Sequence, residues 1–205
     1  VTPVTPVTPV TPVVPAKPSG PSTGKTTGGT PSTGNGTTTG ATKPATPALK
    51  PITIASADLA SYDPSSRIQK SGDPGSAADG NKATAWSVTT PGDGYPMQVG
   101  LLVDLRSPKT VRALNLGTTT PGGRVEVYGA SGSALPPDIL DTRWEHVASR
   151  SKVDQTSIAG NTPGDRTEEI KLLQGGGKFR YVLVWFTEAP KAGPTVRITE
   201  VGLKG

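Results

Sequence analysis

The sequence has no cysteine, one methionine and one histidine, and its aromatic residues number three Trp, four Tyr and two Phe in 205 positions. Without cysteine there can be no disulfide, no thiol nucleophile and no thiolate zinc site. Long apolar stretches are also missing. The longest run, Val182 to Phe186, is far short of the ~20 residues that cross a bilayer. No charged segment followed by an apolar one marks a signal peptide, and the chain starts at Val1, inside a repeat, so it reads as a fragment of something longer.

The scarcities are uneven along the chain. Residues 1–50 hold no aromatic residue and no acid, while Thr, Pro and Gly dominate. Four Val-Thr-Pro copies open the chain, and proline at every third position favours polyproline II. A Gly/Ser/Thr tract over 19–42 follows, with the composition of a flexible coil. This reads as a disordered linker, and its Thr/Pro content also suits an O-glycosylated stalk outside the cytoplasm. Residues 51–205 carry every aromatic residue and are long enough for one ordinary core.

Charge divides at the same boundary. Of the net +5, the linker supplies Lys17, Lys25, Lys43 and Lys50 against no acid. The remaining 17 basic and 16 acidic side chains nearly cancel, and no Lys/Arg run tracks a phosphate backbone. Nucleic acid is therefore excluded as a partner. A membrane surface ranks low as a partner, because a near-neutral domain shows no basic or apolar spikes.

From Pro51 onward the apolar residues alternate with period two. Val99, Leu101, Val103 and Leu105 form one such set, Val125 and Val127 another. Phe179, Tyr181, Leu183 and Trp185 alternate with Val182, Val184 and Phe186, which predicts a central strand buried on both faces. Further strands are predicted over 111–116, 144–148, 169–173 and 196–203, separated by clusters such as Pro91-Gly92-Asp93-Gly94. No helical period persists for ten residues. Seven or eight strands at this spacing mean an all-β sandwich, with a jelly roll the best fit.

Catalysis has little to work with. His146 has no oriented acid or nucleophile readable near it. Gly129-Ala130-Ser131-Gly132-Ser133 fails the nucleophile-elbow pattern at its last position, and Gly175-Gly176-Gly177-Lys178 lacks the rest of a phosphate loop. The chain reads as a non-enzyme.

One loop is rich in oxygen donors: Ala78-Asp79-Gly80-Asn81-Lys82-Ala83-Thr84-Ala85-Trp86. Hard cations such as Ca²⁺ take six to eight carboxylate, carbonyl and hydroxyl oxygens. In the last strand Val196, Ile198 and Glu200 share a parity, which aims Glu200 at the core face. A buried carboxylate needs either a basic partner or a metal, and parity alone leaves both open.

The run Asp79-Gly80-Asn81 with Thr84 and Trp86 resembles the discoidin, or coagulation factor 5/8 type C, family, which includes many bacterial carbohydrate-binding modules. The likeness continues through Val103-Asp104-Leu105, Val125-Glu126-Val127-Tyr128, Trp144-Glu145-His146-Val147, Arg180-Tyr181-Val182 and Ile198-Thr199-Glu200-Val201. It implies an eight-stranded antiparallel jelly-roll β-sandwich over 51–205. It further implies a structural Ca²⁺ held by Asp79, the main-chain oxygen of Asn81, Thr84 and Glu200, with Ser76 and Thr199 as carbonyl donors. The cysteine pair of animal members is absent. A Val-Thr-Pro stalk leading into such a domain also resembles the extracytoplasmic end of a mycobacterial MviN/MurJ-type lipid II flippase, which implies a membrane-spanning parent chain at the cell envelope.

Discoidin-like modules bind through loops at one end of the sandwich. A sugar needs an aromatic face and a few polar groups. Tyr62, Arg67, Tyr95 and Arg124 are the loop candidates, whereas Trp86, Trp144, Tyr181 and Trp185 are expected in the core. The expected partner is a cell-wall or lipid-linked glycan. The alternative is an envelope protein, bound by a domain that keeps the fold without sugar binding.

Overall fold

The structure is a computed structural model and describes residues 48–150 and 167–205, so most of the 1–50 linker lies outside the described residues. Those residues belong to one compact unit, Thr46–Gly205. Eleven strands form there: β1 (Pro51–Ile52), β2 (Leu59–Tyr62), β3 (Lys70–Ser71), β4 (Trp86–Thr89), β5 (Val99–Val111), β6 (Ala113–Thr118), β7 (Arg124–Ala130), β8 (Glu145–Arg150), β9 (Thr167–Lys171), β10 (Gly177–Glu188) and β11 (Thr195–Lys204). Every helical segment among the described residues is a short 3₁₀ turn.

The strands build two antiparallel sheets. One runs β3-β4-β11-β6-β9, with β1 also paired to β11, and the other runs β2-β5-β10-β7-β8. The all-β sandwich expected from period-two alternation is therefore observed. The strand count exceeds eight partly because β1 and β3 are two-residue pairings too short to leave an alternation signal. In the other direction, 99–105 and 111 belong to one long strand. Between Asp104 and Lys109 its register slips against β10, around Arg106 at φ 64° and Pro108. That irregularity hides the continuity of β5 in the sequence pattern.

Two apolar layers hold the unit together. Between the sheets lie Val99, Leu101 and Val103 of β5, Val182, Val184 and Phe186 of β10, and, from the facing sheet, Trp86, Leu114, Leu116 and Ile198, all essentially inaccessible. Strand β10 is central, as its two apolar parities require. Its other face contributes Tyr181, Leu183 and Trp185 to a second cluster with Tyr62, Leu102 and Trp144.

A strap, residues 131–144, covers this second cluster. Its Pro136-Pro137 pair offers no amide to a sheet, so side chains satisfy its carbonyls instead. Tyr62 Oη donates to the Pro136 carbonyl at 3.0 Å, Trp144 Nε1 to Asp138 at 3.1 Å, and Tyr181 Oη and Arg180 Nη1 to Ser133 at 3.0 and 2.7 Å. The outer face of the five-stranded sheet is therefore partly roofed.

The two ends of the sandwich differ. The backbones of Lys50 and Gly205 exchange hydrogen bonds of 2.9 and 3.0 Å, so the chain enters and leaves at one end. The loops 63–69, 90–98 and 189–194 gather at the other, where β2, β4 and β10 finish and β5 and β11 begin.

Candidate functional site: a loop-end groove and an oxygen-lined loop

Loop 63–69 is shaped by Asp63, whose carboxylate accepts the amides of Arg67 and Ile68, each at 2.8 Å. That closure directs the Arg67 guanidinium across to loop 90–98. There it makes a forked pair with Asp93, Nη1 donating to Oδ2 at 3.1 Å and Nη2 to Oδ1 at 3.0 Å. The carboxylate of Asp93 is held below its usual range, chiefly by that guanidinium, while Arg67 is pushed up by the same bond. Asp93 also accepts the Tyr95 amide at 3.2 Å, and Gly94 takes φ 79°, which suits a residue without Cβ. The outcome is an aromatic ring left 73% exposed, with the Arg67 guanidinium 6.0 Å from its centroid.

Tyr95 borders a groove of about 420 Å³ walled by Thr90, Met97, Glu188, Ala189 and Pro194. Its walls are tied together through the Thr90 amide on Pro194 at 3.0 Å and the Gln98 amide on Phe186 at 3.0 Å. Arg67 and Tyr95, two of the expected ligand residues, are thus brought together. Arg124 lies at the same end, opposite Glu188 in the β7–β10 register, with its Nη2 3.4 Å from the Glu126 carboxylate.

Tyr62 does not belong to this site, which corrects the expectation from sequence. It ends β2 on the roofed face of the sheet, is 6% exposed, and packs edge-on against Trp144 and Trp185 with centroids 5.9 Å away. Its neighbours Asp63 and Arg67 do sit in a loop, but the ring is already under the strap. Trp86, Trp144, Tyr181 and Trp185 are all buried, as expected. The residue that sequence reasoning missed is Asp93, 26 positions from the arginine it fixes. Its only signal was a place between two turn glycines.

The oxygen-rich loop lies between β3 and β4. Asp73 caps the 3₁₀ turn Pro74–Ala77 by accepting the Gly75 amide at 2.9 Å. Beyond it Asp79 Oδ1 accepts the Asn81 amide at 2.8 Å, around Gly80 at φ 75°. The Thr84 hydroxyl then sits 2.6 Å from both Asp79 Oδ2 and the Asn81 carbonyl. It has one proton and cannot donate to both. Bonds from Thr84 and from the Asn81 amide hold the Asp79 carboxyl below its usual range.

Glu200 meets this loop from β11. The strand bulges opposite β6 between Ile198 and Glu200, and Gly117 stands across from Glu200. A Cβ on Gly117 would come within 2.9 Å of Thr199 Oγ1, so glycine gives the bulge its room. The bulge also corrects the parity reading: core residues shift to Val201 and Leu203, and Glu200 is half-buried rather than simply on the core face. Its Oε2 is buried without a hydrogen-bond partner. Burial, and then the nearby charge of Asp79, push the Glu200 carboxyl up, with Lys82 opposing.

Two carboxylates that repel one another, one of them with an orphaned oxygen, a carbonyl and an overcommitted hydroxyl offer only oxygen donors. These residues fit a hard cation such as Ca²⁺. Asp79, Asn81 and Thr84 are bonded to one another, and Glu200 lies near enough to feel the charge of Asp79. Ser76 lies upstream in the 3₁₀ turn, with its amide on Asp73 at 3.2 Å, and the Thr199 hydroxyl is buried without a partner beside Gly117. His146 is exposed and shares a 2.9 Å hydrogen bond with Ser149.

No family model matches the chain, and no curated protein matches it. Solved structures do. A family-32 carbohydrate-binding module of AlyQ, in complex with 4,5-unsaturated mannuronic acid, superposes with TM-score 0.52 and 18% identity over 75% of this chain and 97% of that one. The fold is that of the family-32 carbohydrate-binding modules. Chitosan-binding module 1 of a Paenibacillus sp. IK-5 chitosanase/glucanase matches with TM-score 0.52 and 19% identity, covering 72% of this chain and 93% of that module. The family-32 module of Clostridium perfringens NanJ, in complex with galactose, matches at TM-score 0.50 and 13% identity, over 74% and 97%. These family-32 neighbours share with the present chain the discoidin-like pair of antiparallel sheets.

Proposed function

We propose that residues 51–205 form a non-catalytic glycan-binding module that recognises a cell-wall or lipid-linked saccharide outside the cytoplasm, as part of a larger membrane protein. The observation that carries this reading is Tyr95, an exposed ring fixed by the Arg67–Asp93 fork at the lip of a groove. The ring offers a face to the apolar side of a pyranose, and the fork, with Glu188, offers donors and acceptors for hydroxyl groups. Solved neighbours of this fold are named for complexes with mannuronate and galactose and for chitosan binding, which supports a sugar as the ligand class.

Calcium belongs to the same proposal. Asp79, the Asn81 carbonyl, Thr84 and Glu200 would hold it, and the ion would supply positive charge that joins the 78–85 loop to β11. Its role is structural, because the loop is not part of the groove.

Calorimetric titration of peptidoglycan fragments and simple galactosides into the protein tests the recognition role. Heat with at least one glycan, reduced tenfold or more by Tyr95→Ala, is the expected result. If no glycan gives heat, or Tyr95→Ala binds as well as the parent, the groove is not a sugar site. One observation favours the alternative, an envelope-protein partner: Leu140 on the strap is 88% exposed and Leu135 38%.

A further inference from the structure

The near-neutral charge of the domain is an average over two unlike ends. At the end where the chain enters and leaves, β-pairing brings six cationic residues around the β5–β6 junction. Lys50 pairs with Gly205, Lys178 lies opposite Thr110 and Phe179 opposite Lys109. Lys171 and Lys204 both lie opposite Ala113, on either side of β6, and the Arg112 amide and carbonyl bond to Lys204 and Leu172 at 2.7 and 2.9 Å.

Of the six, Lys50, Arg112, Lys171 and Lys178 are exposed, and Lys109 and Lys204 are half-buried. Among the described residues, Lys204 is the one of the six with an ion pair, to Glu169 at 2.5 Å. Acidic side chains toward this end also include Glu145, at the start of β8, and Asp58, just before β2, whose carboxylate pairs with Arg106 of β5. At the groove end Arg67 is paired with Asp93 and Arg124 with Glu126, while Lys191 and Arg197 are exposed near it.

An apolar residue projects from the same end. Leu173 stands in the 3₁₀ turn Leu173–Gly175, between Lys171 and Lys178 in sequence, and is 57% exposed. That turn is seated against the junction: a Cβ on Gly176 would lie 1.8 Å from the Val111 carbonyl, so only glycine permits the approach.

We propose that this end of the sandwich docks on an anionic bilayer surface. The cations come from strands of both sheets, β5 and β10 on one side and β9 and β11 on the other, so they are spread over an area rather than along a furrow. A planar array of charges is the counterpart of a charged lipid surface. A single polyanionic strand would instead be followed by a linear track. Leu173 supplies the apolar contact that a lipid interface rewards and a polyanion does not. Docking here leaves the groove, at the far end, directed away from the lipid.

Flotation of the full chain with vesicles tests this. Vesicles of phosphatidylcholine with about one-third phosphatidylglycerol should carry the protein, and pure phosphatidylcholine should not. The combined variant Lys109→Glu, Lys171→Glu, Lys178→Glu should lose about a hundredfold in partitioning, at on the order of 1 kcal/mol per cation. Reversal of Lys191 and Arg197, placed near the groove end, should cost much less. Leu173→Ser should weaken binding severalfold with no change in charge. Unchanged melting temperatures certify that the variants fold. Equal partitioning of the triple variant and parent, or equal binding to neutral vesicles, would overturn the proposal. So would indifference to Leu173→Ser combined with equally tight binding to soluble polyphosphate, which would identify a polyanion site instead.

Discussion

Glu200 makes the stability of this fold depend on what sits beside it. A half-buried carboxylate with one orphaned oxygen, facing the charge of Asp79, destabilises the folded state when ionised and alone. A bound cation reverses that sign, because it stabilises the native state by mass action. In calcium, chelation should therefore lower the melting temperature by roughly 5 °C, the size expected for about 2 kcal/mol in a domain of this length. Asp79→Ala should remove the response to calcium. Glu200→Gln should also be unresponsive, yet be at least as stable as the parent in chelator, since the repulsion is gone. A parent that melts identically with and without calcium would rule out the ion.

Glycine matters at a second kind of position, where a side chain already occupies the space. A Cβ on Gly129 would fall 2.4 Å from the ring of Phe179, which is 1% exposed. Gly129→Ala should cost on the order of 1–3 kcal/mol by overpacking, measured in urea. Gly132→Ala, whose Cβ would meet nothing nearer than 3.9 Å, should be close to neutral.

Among the elements, the strap and strand β10 show how much the pattern of residues reveals. The two apolar parities of 179–186 announce a central strand, and β10 is central because both faces are covered. The strap has no period, so nothing in the sequence told that it would bury Tyr62. Asp93 stayed hidden for a related reason: its meaning is a contact between two loops. The bulge at Thr199 likewise could not be read from strict alternation, which carries Glu200 to the wrong face.

The strap also has a pH limit. Arg143 Nε and Nη2 bond the Asp141 carboxylate at 2.8 and 2.7 Å and hold it at about 2, well under the 3.8 of a free aspartate. A depressed acid contributes stability above its unfolded value and loses it as pH falls through the folded one. Strap closure, followed by Trp144 fluorescence, should thus persist at pH 4 and weaken from there toward pH 2. Asp141→Asn should begin that loss at neutral pH.

At the scale of the whole molecule, the oxygen-rich motif and the strand spacing made the fold class readable, while the distribution of charge was not readable at all. Seventeen basic and sixteen acidic side chains look balanced along the chain. Strand pairing alone draws Lys50, Lys109, Arg112, Lys171, Lys178 and Lys204 to one end, since those positions are strand termini far apart in sequence.

The backbone exchange between Lys50 and Gly205 has an architectural consequence. Paired strands lie about 4.8 Å apart, so entry and exit points are separated by one hydrogen-bonded step. A unit with that geometry can be spliced into a surface loop of an unrelated host without prising the host's own backbone open. It would hang there as a pendant, with its groove at the tip.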